Sequence, residues 1–208
     1  QEVDRLVNQK IARWKGDRKI MFAIKDSQKL KNLANPVRLM NILEMLMGKE
    51  LKLFQSINFL QGSEQRAHSD TIHMTTYPLG NLIAVWIALE DVDEENGTLH
   101  YYPGSHKLPY ITNKDIGNEG TKWKLGDKPY SAYEDKIEEV IEENNLKKET
   151  LKAQKGDIFI WHANLLHGGE PHKDPSRTRK SMVLHYFSKD AICYHEITQR
   201  PTLFSDSI

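Results

Sequence analysis

Apolar residues recur along the first fifty positions at steps of three and four. Val3, Leu6, Val7, Ile11 and Trp14 form the stripe of an amphipathic helix. A second helix is punctuated: Asn35 can cap it, Pro36 suits its first turn and Gly48 suits its end. Between them Val37, Met40, Ile42, Leu43, Met45, Leu46 and Met47 are almost all apolar, which predicts packing against a large surface. From Lys52 the texture changes to short runs and polar turns. Leu51 to Leu60, Leu82 to Leu89 and Thr98 to Tyr102 predict strands, with Asp93-Glu94-Glu95-Asn96-Gly97 as a turn between the last two. Residues 111–130 predict a loop. Ser131 to Asn145 returns to a helical period through Tyr133, Ile137, Val140 and Ile141, and its acidic run Glu138 to Glu143 predicts a solvated face. Ile158 to Trp161 and Ser181 to Phe187 predict the last strands.

Helices followed by many short strands predict a mainly β fold with flanking helices, a sandwich or barrel. No repeat, low-complexity tract or linker divides the chain. The expectation is one domain over 1–208, with helical support over 1–50 and a β-barrel core over 51–190. Parity refines this. In Leu82 to Leu89, Ala84, Trp86 and Ala88 share one face, and Ile83, Val85, Ile87 and Leu89 share the other. The aliphatic face suits packing against helices. Small residues around one Trp suit an interior with room for a ligand. Arg179, Ser181, Val183, His185 and Phe187 share a face at the last strand, so His185 points inward if Arg179 does.

Composition narrows the chemistry. The 208 residues carry 29 Lys+Arg against 29 Asp+Glu, nine histidines and one cysteine, Cys193. Zero net charge argues against a dedicated nucleic-acid binder. A lone cysteine allows no internal disulfide and no thiolate cluster, so a metal site must use His, Asp and Glu. No run approaches the roughly 20 apolar residues that span a bilayer, and no signal segment opens the chain. The expected compartment is the cytoplasm.

Three features stand together. His68-Ser69-Asp70 follows a strand and a turn, and His167 lies 99 positions later in Trp161-His162-Ala163-Asn164-Leu165-Leu166-His167-Gly168-Gly169. Arg179 follows at the start of a strand. In extended chain, residues i and i+2 share a face, so the His68 imidazole and the Asp70 carboxylate converge. A second imidazole from a distant strand completes a two-histidine, one-carboxylate face that is diagnostic for non-haem Fe(II) oxygenases. Arg179 presents the planar fork that grips a carboxylate. Arg177 is its near rival; Arg179 is preferred because it opens the apolar strand. His162 is a rival ligand at a strand's end. His106 ends the Pro103-Gly104-Ser105-His106 turn and suits a structural hydrogen bond. His73, His100, His172 and His195 read as surface or satisfied core histidines.

The order His68-x-Asp70, Trp86, Asn96-Gly97-x-Leu99, Pro103-Gly104-Ser105-His106, Gly156-Asp157, His167-Gly168-Gly169 and Arg179-Lys180 resembles the phytanoyl-CoA dioxygenase family over about Leu51 to Phe187. The resemblance implies a double-stranded β-helix, a jelly-roll or cupin-like barrel. It implies that His68, Asp70 and His167 bind Fe(II), that Arg179 pairs with the far carboxylate of 2-oxoglutarate, and that Trp86 lines the co-substrate pocket. It implies use of O2, release of succinate and CO2, and hydroxylation of a C–H bond in a small molecule. Asp70 fills the place that a small residue takes in related halogenases, which favours hydroxylation. Gly169 stands where the family often has Ser or Thr, so one side-chain bond to 2-oxoglutarate is absent or replaced. Gln55, Gln65, Met74 and His185 are the candidates to face substrate. The expected partner is a small molecule, with no nucleic acid and no membrane; oligomeric state and substrate identity stay open. The alternatives are a barrel that binds a metal or small ligand without turnover, and a zinc hydrolase on the same ligands. No Gly-x-Ser-x-Gly elbow and no Gly-rich phosphate loop occurs.

Overall fold

The computed structural model describes residue 2, residues 4–6 and residues 19–201. Val3, Val7, Ile11 and Trp14 of the first expected helix lie outside the described residues.

The described chain is mainly β with flanking helices, as expected. A five-stranded antiparallel sheet carries it, in the order β1 (Lys19–Met21), β2 (Leu51–Phe59), β9 (Ser181–Ser188), β4 (Leu82–Ala88), β7 (Ile158–His162). Two three-stranded ladders complete the strand set: β6 (Glu149–Thr150), β5 (Leu99–Tyr101) and β8 (His167–Gly169); and β11 (Arg200–Pro201), β10 (Ile192–His195) and β3 (Thr75–Tyr77). The long strands match their apolar runs within two residues at each end. The expectation of helix throughout 1–50 needs correction: Lys19–Met21 is a strand, its Ile20 opposite Asn58 of β2. Three residues are too few to show a period of two against the helical texture around them.

Residues 2 and 4–6 are helical, with Leu6 in the core, and three further helices flank the strands among the described residues: α1 (Gln28–Ala34), α2 (Val37–Met47) and α3 (Tyr130–Glu143). Ser27 caps α1, its hydroxyl accepting from the Leu30 N–H. Asn35 does not cap α2; it ends α1, and Pro36 holds the N-cap place of α2. Gly48 ends α2 at φ 65°, a left-handed position where a Cβ is strained. Helix α2 buries Leu39 and Leu43 on the sheet, while Val37, Met45 and Leu46 stay exposed.

Parity decides what the sheet does. Ile83, Val85 and Ile87 join Leu30, Leu39, Leu43, Met182 and Leu184 in the layer between sheet and helices. Ala84, Trp86, Ala88 and Val183 face the other way, into the barrel side. Strand β2 switches parity at a register shift between Leu53 and Gln55. Leu51 and Leu53 pack toward the helices, and Phe54 and Gln55 then both line the interior cavity. Helix α3 buries Tyr133 and Ile137 against Ile72, Tyr102 and Leu166, behind the segment that carries His68 and Asp70.

Candidate metal centre and its cavity

A cavity of about 740 Å³ opens between the inner face of the large sheet and the β5–β8 ladder. His68, Asp70 and His167 line it together, each buried, with one ligand atom apiece lying within 4.8 Å of the others. His68 reaches this place by an isolated antiparallel bridge to His167, with backbone bonds of 2.9 Å in both directions. Extended chain runs through Ser69, and Asp70 then opens a tight turn over Asp70–Ile72. The i, i+2 convergence expected of His68 and Asp70 is present.

The two imidazoles are held alike. His68 Nδ1 lies 2.9 Å from the Arg66 carbonyl, and His167 Nδ1 lies 2.9 Å from the Leu165 carbonyl. A carbonyl only accepts, so each Nδ1 carries the hydrogen and each Nε2 presents a lone pair. Burial, followed by the nearby His167, pushes the His68 imidazolium pKa down to about 3, which keeps the lone pair available at neutral pH. Burial alone would raise Asp70, but His167 and then His185 outweigh it and hold the carboxyl well below its ordinary range. The Trp161 indole N–H donates to Asp70 Oδ2 at 2.7 Å. Asp70 Oδ1 lies 3.7 Å from His167 Nε2, on the ligand face. A buried set of two neutral imidazoles and one carboxylate suits a divalent iron with open positions.

The segment carrying His68 and Asp70 is tied to α3. The Ser69 N–H donates to the Tyr133 hydroxyl at 3.0 Å, and Arg66 pairs with Glu134, Asp135 and Glu138 on the surface. The surface pairs are worth little singly; the buried Tyr133 bond sets the position.

Arg179 lies in the same cavity, 1% exposed. Its Nη1 donates to Ser181 Oγ at 3.0 Å, and its Nε has no partner in the described structure. Phe59 and Trp86 stack near the guanidinium, at 5.7 and 5.9 Å from ring centroid to Cζ. Burial pushes its pKa down to about 10, so it stays charged at neutral pH. Glu90 acts on it electrostatically, but no acid forms an ion pair with it among the described residues; burying such a charge costs several kcal/mol, which an anionic ligand in the cavity would offset. Arg177, the rival, is a surface residue paired with Asp93 at 2.8 Å.

The other sequence candidates divide. Trp86, Gln55, Gln65, Met74 and His185 all line the cavity. His185 Nε2 lies 3.6 Å from Asp70 Oδ2. His162 is not a ligand: its Nδ1 accepts from the Asn164 N–H, and its ring packs by His106 and Gly80, away from the cavity. His73 and His195, bland by sequence, line the cavity too. The sequence pattern does not single out Trp161, Tyr130 or Lys19. His73 was within reach of the sequence, three residues beyond Asp70; the indole bond of Trp161 crosses 91 residues and leaves no local signal. Gly169 has its own explanation: a Cβ there would sit 2.7 Å from Ser63 Oγ, so the hydroxyl of Ser63 fills the space that a side chain at this position would take.

Comparison with known proteins places this geometry. A sequence profile described as "Phytanoyl-CoA dioxygenase (PhyH)" matches residues 7–181. The chain is 30% identical over 132 residues to "Phytanoyl-CoA dioxygenase domain-containing protein 1 homolog" of Dictyostelium discoideum, covering 62% of this chain and 42% of that protein. It is 30% identical over 146 residues to "Phytanoyl-CoA dioxygenase domain-containing protein 1" of Mus musculus, covering 68% and 45%. The chain thus spans under half the length of these relatives. Among solved structures, the "non-heme alpha ketoglutarate dependent carbocyclase SnoK from nogalamycin biosynthesis" superposes with a TM-score of 0.73 at 17% identity, covering 99% of this chain and 86% of that one. EctD from S. alaskensis with bound Fe gives a TM-score of 0.62 at 24% identity, covering 82% and 57%. These likenesses establish the fold as the double-stranded β-helix.

Proposed function

The chain belongs to the phytanoyl-CoA dioxygenase family, and from that premise we propose that it is an Fe(II)- and 2-oxoglutarate-dependent oxygenase that hydroxylates a C–H bond of a small molecule, with release of succinate and CO2. The observation that carries the reading is the joint placement in one cavity of His68, Asp70, His167 and a buried Arg179 that makes no ion pair among the described residues. His68 Nε2, Asp70 Oδ1 and His167 Nε2 would hold the iron. Arg179, with Trp86 beside it, would take the far carboxylate of 2-oxoglutarate through its guanidinium fork. When bound, the iron and 2-oxoglutarate supply the activation of O2 and the oxidising equivalents.

What the chain contributes is orientation and dryness. The two backbone carbonyls fix the imidazole tautomers, and Trp161 fixes the carboxylate. Trp86, Leu99, Trp161 and Val183 wall the space around the triad and exclude water from it. An intact Asp70 supports hydroxylation over halogenation. We extend the proposal to a single domain over 1–208 and to the cytoplasm; the lone cysteine, suited to a reducing compartment, supports the second. Among the described residues no helix is long and apolar enough to cross a membrane.

The test is succinate release from 2-oxoglutarate, measured across a panel of small-molecule candidates. The wild type should release succinate only with Fe(II) and O2 present, and Asp70→Ala should release none. Undiminished release by Asp70→Ala would refute the assignment.

A further inference from the structure

The far wall of the cavity carries a chain of polar groups that the iron and 2-oxoglutarate do not use. His195 Nε2 and His73 Nδ1 lie 3.4 Å apart, His73 Nε2 and the Tyr130 hydroxyl 3.2 Å, and the Gln65 amide nitrogen and the same hydroxyl 3.4 Å. His73, His195 and Gln65 line the cavity.

A backbone donor sets the direction of this chain. The Thr198 N–H donates to His195 Nδ1 at 3.4 Å, so that nitrogen accepts. The neutral His195 ring then carries its hydrogen on Nε2 and donates to His73 Nδ1. His73, neutral in turn, donates from Nε2 to the Tyr130 oxygen. The Gln65 amide donates to the same oxygen. Tyr130 therefore accepts twice, and its own hydrogen has no acceptor within the chain. Turning the Gln65 amide over moves the spare hydrogen from the Tyr130 hydroxyl to the amide, and leaves the outcome unchanged. Either way a donor is left at the half-buried Tyr130–Gln65 end, where the acceptor of a ligand in the cavity can take it.

Charge points the same way. Lys19 lines the cavity and lies close enough to His73 to act on it electrostatically. No acid pairs with Lys19 among the described residues. Glu64, the acid lining the cavity outside the triad, faces His172 at 3.3 Å. Phe54, Met74 and Ile57 supply apolar surface within the same cavity. We propose that the primary substrate is a small carboxylic acid whose carboxylate sits against Lys19 and Gln65, with Tyr130 behind Gln65 orienting its amide, and with its apolar part along Phe54, Met74 and Ile57. This rests on the oxygenase reading for the word substrate, and goes beyond it in naming the substrate's class. A nucleotide-bearing thioester, with several phosphates, matches one lysine poorly; among the described cavity residues Lys19 and Arg179 are the only Lys or Arg.

The experiment is calorimetric titration under nitrogen of the protein loaded with Fe(II) and 2-oxoglutarate. The probes are straight-chain carboxylates from butanoate to decanoate, each paired with its primary amide. Some carboxylate should bind at least tenfold tighter than its amide. Tyr130→Phe and Lys19→Gln should each weaken that carboxylate about tenfold, with the amide and the 2-oxoglutarate charge-transfer band unchanged. Equal binding of every acid and its amide, or binding untouched by both variants, would overturn the proposal. The band is a separate readout: its absence in the wild type counts against the iron and 2-oxoglutarate reading. In that case Arg179→Met decides the location. Loss of carboxylate binding in that variant, with Tyr130→Phe silent, puts the carboxylate at the arginine and overturns the proposal as well.

Discussion

Two imidazoles and one carboxylate make a usable ligand set only if each atom faces the right way. His68 and His167 are oriented by the same local device, a bond from Nδ1–H to the carbonyl two residues earlier. Asp70 lacks such a neighbour and depends on Trp161, whose N–H takes Oδ2. Trp161→Phe keeps an aromatic ring between Phe159 and His167 but removes the donor. Metal affinity should fall roughly 10–100-fold while the fold is retained, as read by Co(II) titration beside circular dichroism. Unchanged affinity would show that the indole only fills space. Spacing and strand parity made His68, Asp70, His167 and Arg179 candidates in the sequence, and the resemblance of the ordered motifs around them to the phytanoyl-CoA dioxygenase family assigned them. Trp161, Tyr130 and His195 were not, because each meets its partner across a long loop of chain.

Among the strands, β8 is the one that bears a residue of the proposed metal set. Its three residues, His167–Gly169, carry no readable period, and glycine there has a packing reason. A Cβ on Gly168 would lie 2.5 Å from the Gln65 carbonyl and 2.6 Å from the His100 ring. That carbonyl cannot easily retreat, since it accepts the Gly169 N–H at 3.0 Å. Gly168→Ala should destabilise the protein by about 1–3 kcal/mol, a drop of several degrees in Tm, and should weaken metal binding through His167. Wild-type Tm and affinity in this variant would mean the ladder has slack. Strands β4 and β9 were legible because their alternation is long. Of the ladder strands of two to four residues only β5 was, inside the run Thr98 to Tyr102; the others were not, nor was the bulge at Leu53/Gln55 that turns Gln55 inward.

For the molecule as a whole, the buried histidines couple stability to pH. Burial, followed by His167, lowers His68 to about 3; burial also lowers His73, to about 4, against an ordinary 6.5. Below 6.5 the unfolded chain takes up protons at these rings that the folded chain refuses. Folding stability of the metal-free protein is therefore full above about pH 6.5 and falls as pH drops toward 4, by up to about 1.4 kcal/mol per pH unit for each ring. Urea unfolding at pH 7.5, 6 and 5 checks this; a flat profile would contradict the neutral, buried assignment. The fold class and the faces of the long strands could be read from alternation. The cavity's far wall could not, because it is assembled from α3, the turn after Asp70 and β10.

The most direct test of the central assignment is optical. Fe(II) and 2-oxoglutarate are added together to the metal-free protein under nitrogen. Chelation at His68, Asp70 and His167, with Arg179 holding the far carboxylate, predicts a visible metal-to-ligand charge-transfer band in the wild type that Asp70→Ala lacks and that Arg179→Met shows only at far higher 2-oxoglutarate. No band in the wild type at saturating 2-oxoglutarate would contradict the assignment.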